Sequence, residues 1–289
     1  MRYTTLNSYL KERFGCKVYK LAIDGGFTCP NRDGTLDTRG CIFCSKGGSG
    51  EFASSRELSI TEQIEQGKHL VEKKIKDGKY IAYFQAFTNT YAPIDELREK
   101  YYQAINHSDI VALSIATRPD CLGDDVLKLL DEINKIKPVF VELGLQTIHE
   151  RTANYIRRGY PLSCYDEAVK NLHNIGINVV THLIIGLPNE TTDDILQSVE
   201  YVCKVTDGIK LQLLHILKGT DLEKEYNECK VKTLSLDEYA DIIKQCIDII
   251  PKSVVVHRIT GDGAKKDLIA PLWSADKKNV LNTLNKKLM

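Results

Sequence analysis

The chain has 289 residues, 43% of them hydrophobic, and its 39 lysines and arginines are balanced by 39 aspartates and glutamates. That length and apolar content allow either one barrel-sized domain or two ordinary ones, and exclude a small scaffold that depends on covalent staples. Zero net charge excludes a whole-molecule field favouring nucleic acid or an acidic membrane, so such contacts need a local patch.

The N-terminal stretch MRYTTLNSYLKERFG has no apolar signal-like core, and no window approaches the roughly eighteen apolar residues of a membrane span. A cytoplasmic protein with no membrane association is expected. Nine cysteines, an odd number, argue against a disulfide framework in a reducing compartment. The isolated ones, Cys16, Cys121, Cys164, Cys203, Cys229 and Cys246, are expected to be small buried hydrophobes.

In chain order, KVYKLAIDGG predicts a first strand, followed directly by the loop GFTCPNRDGTLDTRGCIFCSKGGSG. Then helical and strand periods alternate. SITEQIEQGKHLVEKKIKDG predicts a helix stopped by the glycine after Asp77, and YIAYFQAF a strand. IDELREKYYQAINHS, DIVALSIAT, GDDVLKLLDEINKIK and PVFVELGLQT continue the alternation, as do LSCYDEAVKNLHNIG, INVVTHLIIG, TTDDILQSVEYVCKVTDG and GIKLQLLHIL. The strands are too apolar to be half solvated, so six of them with helices between predict a parallel α/β sheet, doubly wound or curled into a full or partial barrel. Ligands gather at the strand ends in all of these, which puts the cysteine loop on the functional face. SLDEYADIIKQCIDII, SVVVHRIT and a lysine-rich closing helix predict a C-terminal extension, residues 221–289, packed on the same body as residues 1–220. No linker or low-complexity segment intervenes.

The loop holds Cys29, then Cys41 and Cys44 in the only C-x-x-C of the chain. Structural zinc wants a fourth ligand, yet the nearest histidine, His69, falls inside a predicted helix. A redox dithiol should open a helix, whereas CIFCSKGGSGE runs into glycines. Three thiolates on a four-iron cluster leave one iron without a protein ligand, a vacancy suited to an amino and carboxylate chelate. Glycines allow such a loop to wrap a bulky cluster and donate N–H groups to it.

In these features the sequence resembles the radical S-adenosylmethionine (SAM) superfamily over most of its length. The two-residue gap and Phe43 match the family pattern, while the first gap is longer than usual. That longer gap resembles the subgroup around the catalytic subunit of Elongator and the bacterial YtqA/YhcC-type (MnmL-like) proteins. The resemblance implies a partial (β/α)6 barrel, with Cys29, Cys41 and Cys44 on a [4Fe-4S] cluster and SAM on its open iron. In FQAFTNTYAP, Gln85 and Asn89 stand where the superfamily holds the SAM amino group, although its Gly-Gly-Glu motif is missing. SIATRPD resembles the Elongator ETRPD; Ala116 replaces the glutamate, so Ser114 or Thr117 is expected to supply a hydroxyl to the cofactor. In ELGLQTIHERTANYIRRGY, Gln146 and Arg158 are implied contacts to the SAM ribose and carboxylate, a planar fork suiting a carboxylate. Without the cysteines, Arg158 reads as a surface arginine ending a helix. His182 in THLIIGLPNET, also a histidine in the Elongator branch, is carried as a cofactor contact beside the plainer reading of a satisfied core histidine.

The implied reaction is reductive cleavage of SAM to a 5′-deoxyadenosyl radical, with an electron from an external flavodoxin- or ferredoxin-type reductant and no assigned protein acid or base. The same resemblance implies tRNA as substrate, at the wobble uridine, with a carboxymethylaminomethyl-to-aminomethyl step. Two other readings stay open: a radical SAM reaction on a small molecule, and a non-catalytic iron-sulfur or zinc scaffold. Gln146 and Arg158 argue against the scaffold, which has no need of a SAM pocket. For RNA the candidate surface is VVVHRITGDGAKKD, read equally as a basic loop or as a strand with a solvated turn.

Overall fold

The apolar runs fold as parallel strands whose outward side chains bury against helices. A computed structural model describes the chain except residues 1, 2, 49, 51, 76, 77, 262, 264 and 289. The elements open with β1 (Thr4–Thr5), α1 (Leu6–Phe14) and β2 (Val18–Ile23). After the cysteine loop come α2 (Ile60–Val71), β3 (Lys79–Phe84), α3 (Ile94–Ile105), β4 (Ile110–Thr117), α4 (Asp124–Asn134) and β5 (Val139–Gln146). Then follow α5 (Glu150–Tyr155), α6 (Leu162–Asn174), β6 (Asn178–Ile185), α7 (Thr192–Val202) and β7 (Gly208–Leu213). The C-terminal part holds β8 (Ile216–Leu217), α8 (Asp221–Asn227), α9 (Leu236–Ile249), β9 (Val255–Arg258), β10 (Leu268–Ala270) and α10 (Lys277–Leu288).

Eight strands form one parallel sheet in the order β1-β9-β7-β6-β5-β4-β3-β2, curled into a partial barrel. The six expected strands are β2 to β7. The two additional ones come from segments that sequence reading places elsewhere. SVVVHRIT enters the main sheet as β9 beside β7, and the two-residue β1, too short for a periodic signal, pairs beyond it. Helix α1 contacts both β2 and β9 and so packs where the sheet fails to close. It is started by the Thr5 side chain, which accepts from the Ser8 N–H, and stopped by Gly15 at φ 70°. Helix α2 opens on a Ser59/Glu62 capping box but ends at Val71, before the glycine stop expected from sequence; Asp77 lies outside the described residues. No described helix is long and apolar enough to cross a membrane.

Alternation along each strand divides the interior. On β5, Val141, Leu143 and Leu145 point outward into the main core, shared with Leu129 and Leu130 of α4 and Leu172 of α6. Inward residues form layers. At the N-terminal ends of the strands Val18, Ile81, Ala112 and Phe140 pack against Leu10 of α1, an apolar floor. Above the strands, beneath the cysteine loop, Ile42, Ile156, Ile184, Leu214 and Ile216 form a separate apolar cluster.

Because β9 lies between β7 and β1, the C-terminal residues complete the sheet. A chain ending at residue 220 loses β9 and leaves the β7 edge bare. Such a fragment is expected to lack a cooperative urea transition followed by circular dichroism; a soluble fragment with a single sharp transition would show that the barrel closes without β9.

Candidate active site at the barrel mouth

A cavity of about 800 Å³ runs down the barrel from the cysteine loop. Cys29, Cys41 and Cys44 line its mouth with Phe43, and Gln85, Thr117, Gln146, Arg158 and His182 line its walls. Two expected contacts are not among the lining residues. Ser114 is fully buried and donates to Glu142 Oε1 at 2.7 Å. Asn89 donates from Nδ2 to the Ala116 carbonyl at 2.8 Å, holding two strand ends together.

The loop between Cys29 and Cys44 is fastened by its own polar residues. Arg32 donates to the carbonyls of Cys44 and Ser45 at 2.8 and 2.6 Å, and Arg157 Nε reaches the Gly40 carbonyl at 2.9 Å. Asn31 Nδ2 donates to the Arg157 carbonyl at 2.8 Å and lies 3.6 Å from Cys41 Sγ. Gly159, at φ 83°, permits this approach: a Cβ there would stand 2.9 Å from Asn31 Oδ1. None of the nine cysteines is in a disulfide. Of the six isolated ones only Cys246 is buried as expected; Cys229 is exposed and the others are half-buried, because they fall at element ends rather than on core faces.

Three observations bear on whether a cluster and SAM fit. First, the three thiols face one cavity, and among the described residues no three His, Cys, Asp or Glu side chains converge around a single ion. Burial, then the neighbouring Cys44, pushes the Cys41 thiol up to about 12, so that ligation itself must drive off the proton. Second, Gln146 sits at φ 72°, unusual for a residue with a side chain, and its buried Oε1 has no partner among the described residues. Third, the layer below the mouth is built from Ala22, Ala116 and Gly144, side chains small enough to leave space for a ligand.

Arg158 is only 2% exposed, so it is not the surface arginine of the plainer reading. Its guanidinium donates to the carbonyls of Thr147 and Tyr160 at 2.6 and 3.0 Å and meets Glu150 Oε1 at 3.1 Å. It lies over the Tyr160 ring, as does Arg118, which pairs bidentately with Asp120. The two guanidinium groups, each paired with a carboxylate, stack on one ring at the wall of the mouth.

Beneath the small-residue layer lies a charged one that sequence reading missed. Glu142 on β5 accepts at Oε1 from Lys20 and Ser114, and at Oε2 from Lys210 and His182. His182 engages Gln212 through Nδ1 at 3.2 Å. Burial alone would raise the Glu142 carboxyl, but Lys20, Lys210 and His182 hold it well below the ordinary range. Burial pushes His182 down to about 4, so the imidazole is neutral at pH 7. The signal was present in sequence: Lys20, Glu142 and Lys210 are charges at inward positions of otherwise apolar strands. In the stretch VVVHRITGDGAKKD, Val255–Arg258 belongs to β9, while Asp262 and Ala264 lie outside the described residues.

Replacing Glu142 by Gln leaves two buried ammonium groups without their anion, and is expected to lower the unfolding free energy at pH 7 by about 3–5 kcal/mol. Because the folded carboxyl titrates below its ordinary value of 4.5, its stabilisation is complete above that pH and is lost as pH falls below it. Urea denaturation between pH 7 and pH 3 should show a smaller acid loss in Glu142→Gln than in wild type; parallel curves would contradict the buried-anion assignment.

Residues 38–202 match the family model of the radical SAM superfamily, and residues 206–289 match the radical SAM C-terminal domain. YtqA of Bacillus subtilis, an uncharacterized protein, is 50% identical over 99% of this chain and 89% of its own length. YhcC of Escherichia coli is 40% identical over 91% of this chain and 85% of its own. A tRNA uridine(34) acetyltransferase of Methanocaldococcus jannaschii is 28% identical over 53% of this chain and 28% of its own. Among solved structures, Elp3 of Methanocaldococcus infernus superposes with a TM-score of 0.69 over 93% of this chain and 63% of that one, at 19% identity. The chain thus belongs to the radical SAM superfamily, as an enzyme whose cofactors are a [4Fe-4S] cluster and SAM.

Proposed function

We propose that Cys29, Cys41 and Cys44 hold the [4Fe-4S] cluster and that the enzyme acts on the wobble uridine of tRNA, taking a carboxymethylaminomethyl group toward aminomethyl. The N–CH2 carbon is oxidised by two electrons and leaves, with the oxygen of water, as glyoxylate, the two electrons reducing SAM to methionine and 5′-deoxyadenosine. The observation that carries the cofactor part is the set of three thiols around the mouth of a deep cavity. When bound, the cluster and SAM supply a 5′-deoxyadenosyl radical once an electron arrives from a flavodoxin- or ferredoxin-type protein.

The chain's own residues orient and enclose. Gln146 presents an unpartnered amide oxygen to a polar group of SAM, with Thr117 and Gln85 beside it on neighbouring strand ends. Arg158 and Arg118 offer positive charge to the SAM carboxylate, and Phe43 covers the cluster side. His182 acts below this level, with both ring nitrogens engaged. Ser114 and Asn89 support the wall from behind. We divide the chain at residue 220 into the barrel and a C-terminal extension of the same body, and place the protein in the cytoplasm.

The tRNA part is supported by the resemblance to the Elongator branch and by a relative named for tRNA uridine 34. Its test is anaerobic incubation of reconstituted enzyme, SAM and reductant with tRNA carrying carboxymethylaminomethyluridine, followed by mass spectrometry of the nucleosides. Loss of that nucleoside matched by aminomethyluridine is expected, with no change in Cys44→Ala. If 5′-deoxyadenosine accumulates while every tRNA nucleoside is unchanged, the tRNA reading falls and a small-molecule substrate replaces it.

A further inference from the structure

Barrels of this class are ordinarily filled by layers of branched aliphatic side chains. Here the second layer from the floor is Lys20, Tyr83, Ser114, Glu142, His182 and Lys210, one residue from each of six successive strands, β2 to β7. Side-chain hydrogen bonds rather than strand register tie the layer together: Lys20 to Ser114 and Glu142, Ser114 and His182 to Glu142, and Lys210 to Tyr83 and Glu142. Five of the six line the cavity. Replacing buried ion pairs with well-packed hydrophobic residues is often neutral or stabilising, so this layer is poorly explained by stability alone.

Two lysines face one carboxylate, and the histidine between them is neutral; burial pushes Lys210 down to about 7, so the second positive charge is held weakly until another anion arrives. Glu142 has four donors on its two oxygens and is saturated. An ammonium has three donors. The bonds of Lys20 go to Ser114 Oγ and Glu142, and those of Lys210 to Tyr83 Oη and Glu142, so each nitrogen, when protonated, keeps one donor without a partner among the described residues. Both nitrogens lie against the same Tyr83 ring, 4.9 and 4.6 Å from its centroid, and so are close to each other in the cavity. On β5 this layer is four residues before Gln146, about 13 Å below the mouth at roughly 3.3 Å per residue, too deep to serve a chelate held at the cysteines.

We propose that Lys20 and Lys210 form a seat for a carboxylate of the substrate, with Glu142 holding the two nitrogens in place beside each other. The inference deepens the wobble-uridine reading and rests on it for the rest of the ligand: the carboxymethyl arm is the group that enters the barrel, which places the N–CH2 bond to be broken beside the seat.

The test uses the reconstituted holoenzyme with SAM and needs no turnover. N-methylglycine, its carboxamide and inorganic phosphate are titrated at constant ionic strength and binding is read by calorimetry. The acid is expected to bind about ten- to a hundredfold more tightly than the amide, the ratio that one or two hydrogen bonds to a charged group provide. Lys20→Met and Lys210→Met should each bring the acid close to the amide, and phosphate should not displace it. Equal binding of acid and amide by the wild type, which requires no variant to fold, overturns the proposal. So does a preference that survives in both variants, or displacement by phosphate, which marks a general anion site. A second arm separates this from the wobble reading, using tRNA bearing the carboxymethylaminomethyl group or its carboxamide. Acid-selective binding of the small probes without turnover of either tRNA leaves the seat and removes the wobble assignment. Equal turnover of both tRNAs does the reverse.

Discussion

A parallel strand covered on both faces meets two environments with one alternating sequence. In this barrel the outward residues answer to helices and are mostly apolar, as Val141, Leu143 and Leu145 show, while the polar Thr181 is satisfied by Tyr165 of α6. The inward residues answer to a cavity and change character along the strand. On β5 they run from Phe140 at the floor through Glu142 and Gly144 to Gln146 at the mouth. Hydrophobic burial outside therefore holds the sheet while the inside is free to be polar, and the site depends on that division of labour.

The division also explains what was legible from sequence. Continuous apolar runs and the spacing of the helices gave β2 to β7 and the parallel sheet, since strands that bury both faces have a strong signal. The cysteine loop was legible because C-x-x-C and a third thiol among glycines have few structural uses. The layer around Glu142 was not, because Lys20, Glu142 and Lys210 are far apart in sequence and on non-adjacent strands, and only the curl of the sheet brings the two lysines onto one carboxylate. β1 and α1 were missed for a different reason. A two-residue strand has no period, and α1 carries a weakly apolar face with Leu10 as its only buried residue. β9 was visible as a strand but not as a member of the main sheet, because its neighbours β7 and β1 lie at distant places in the chain.

Above the strands the loop is rigid for reasons that have little to do with its cysteines. Arg32, Asn31 and Arg157 turn its backbone carbonyls and amides into a fastened rim, and Gly159 lets the rim approach the β5–α6 connection. Cys41 is thereby held in a buried position where the thiol keeps its proton until a cation replaces it. A preformed rim, an amide oxygen without a partner at Gln146 and a small-residue layer beneath are what a cofactor site of this class requires.

The central claim is that the three thiols at this rim hold a cluster competent to cleave SAM. The most direct measurement is 5′-deoxyadenosine formation by enzyme reconstituted anaerobically with iron and sulfide, then given dithionite and SAM, with Cys29→Ala as control. The account predicts product in the wild type and none in the variant. A wild-type protein with an intact [4Fe-4S] cluster that yields no 5′-deoxyadenosine, even with candidate substrates present, would contradict it.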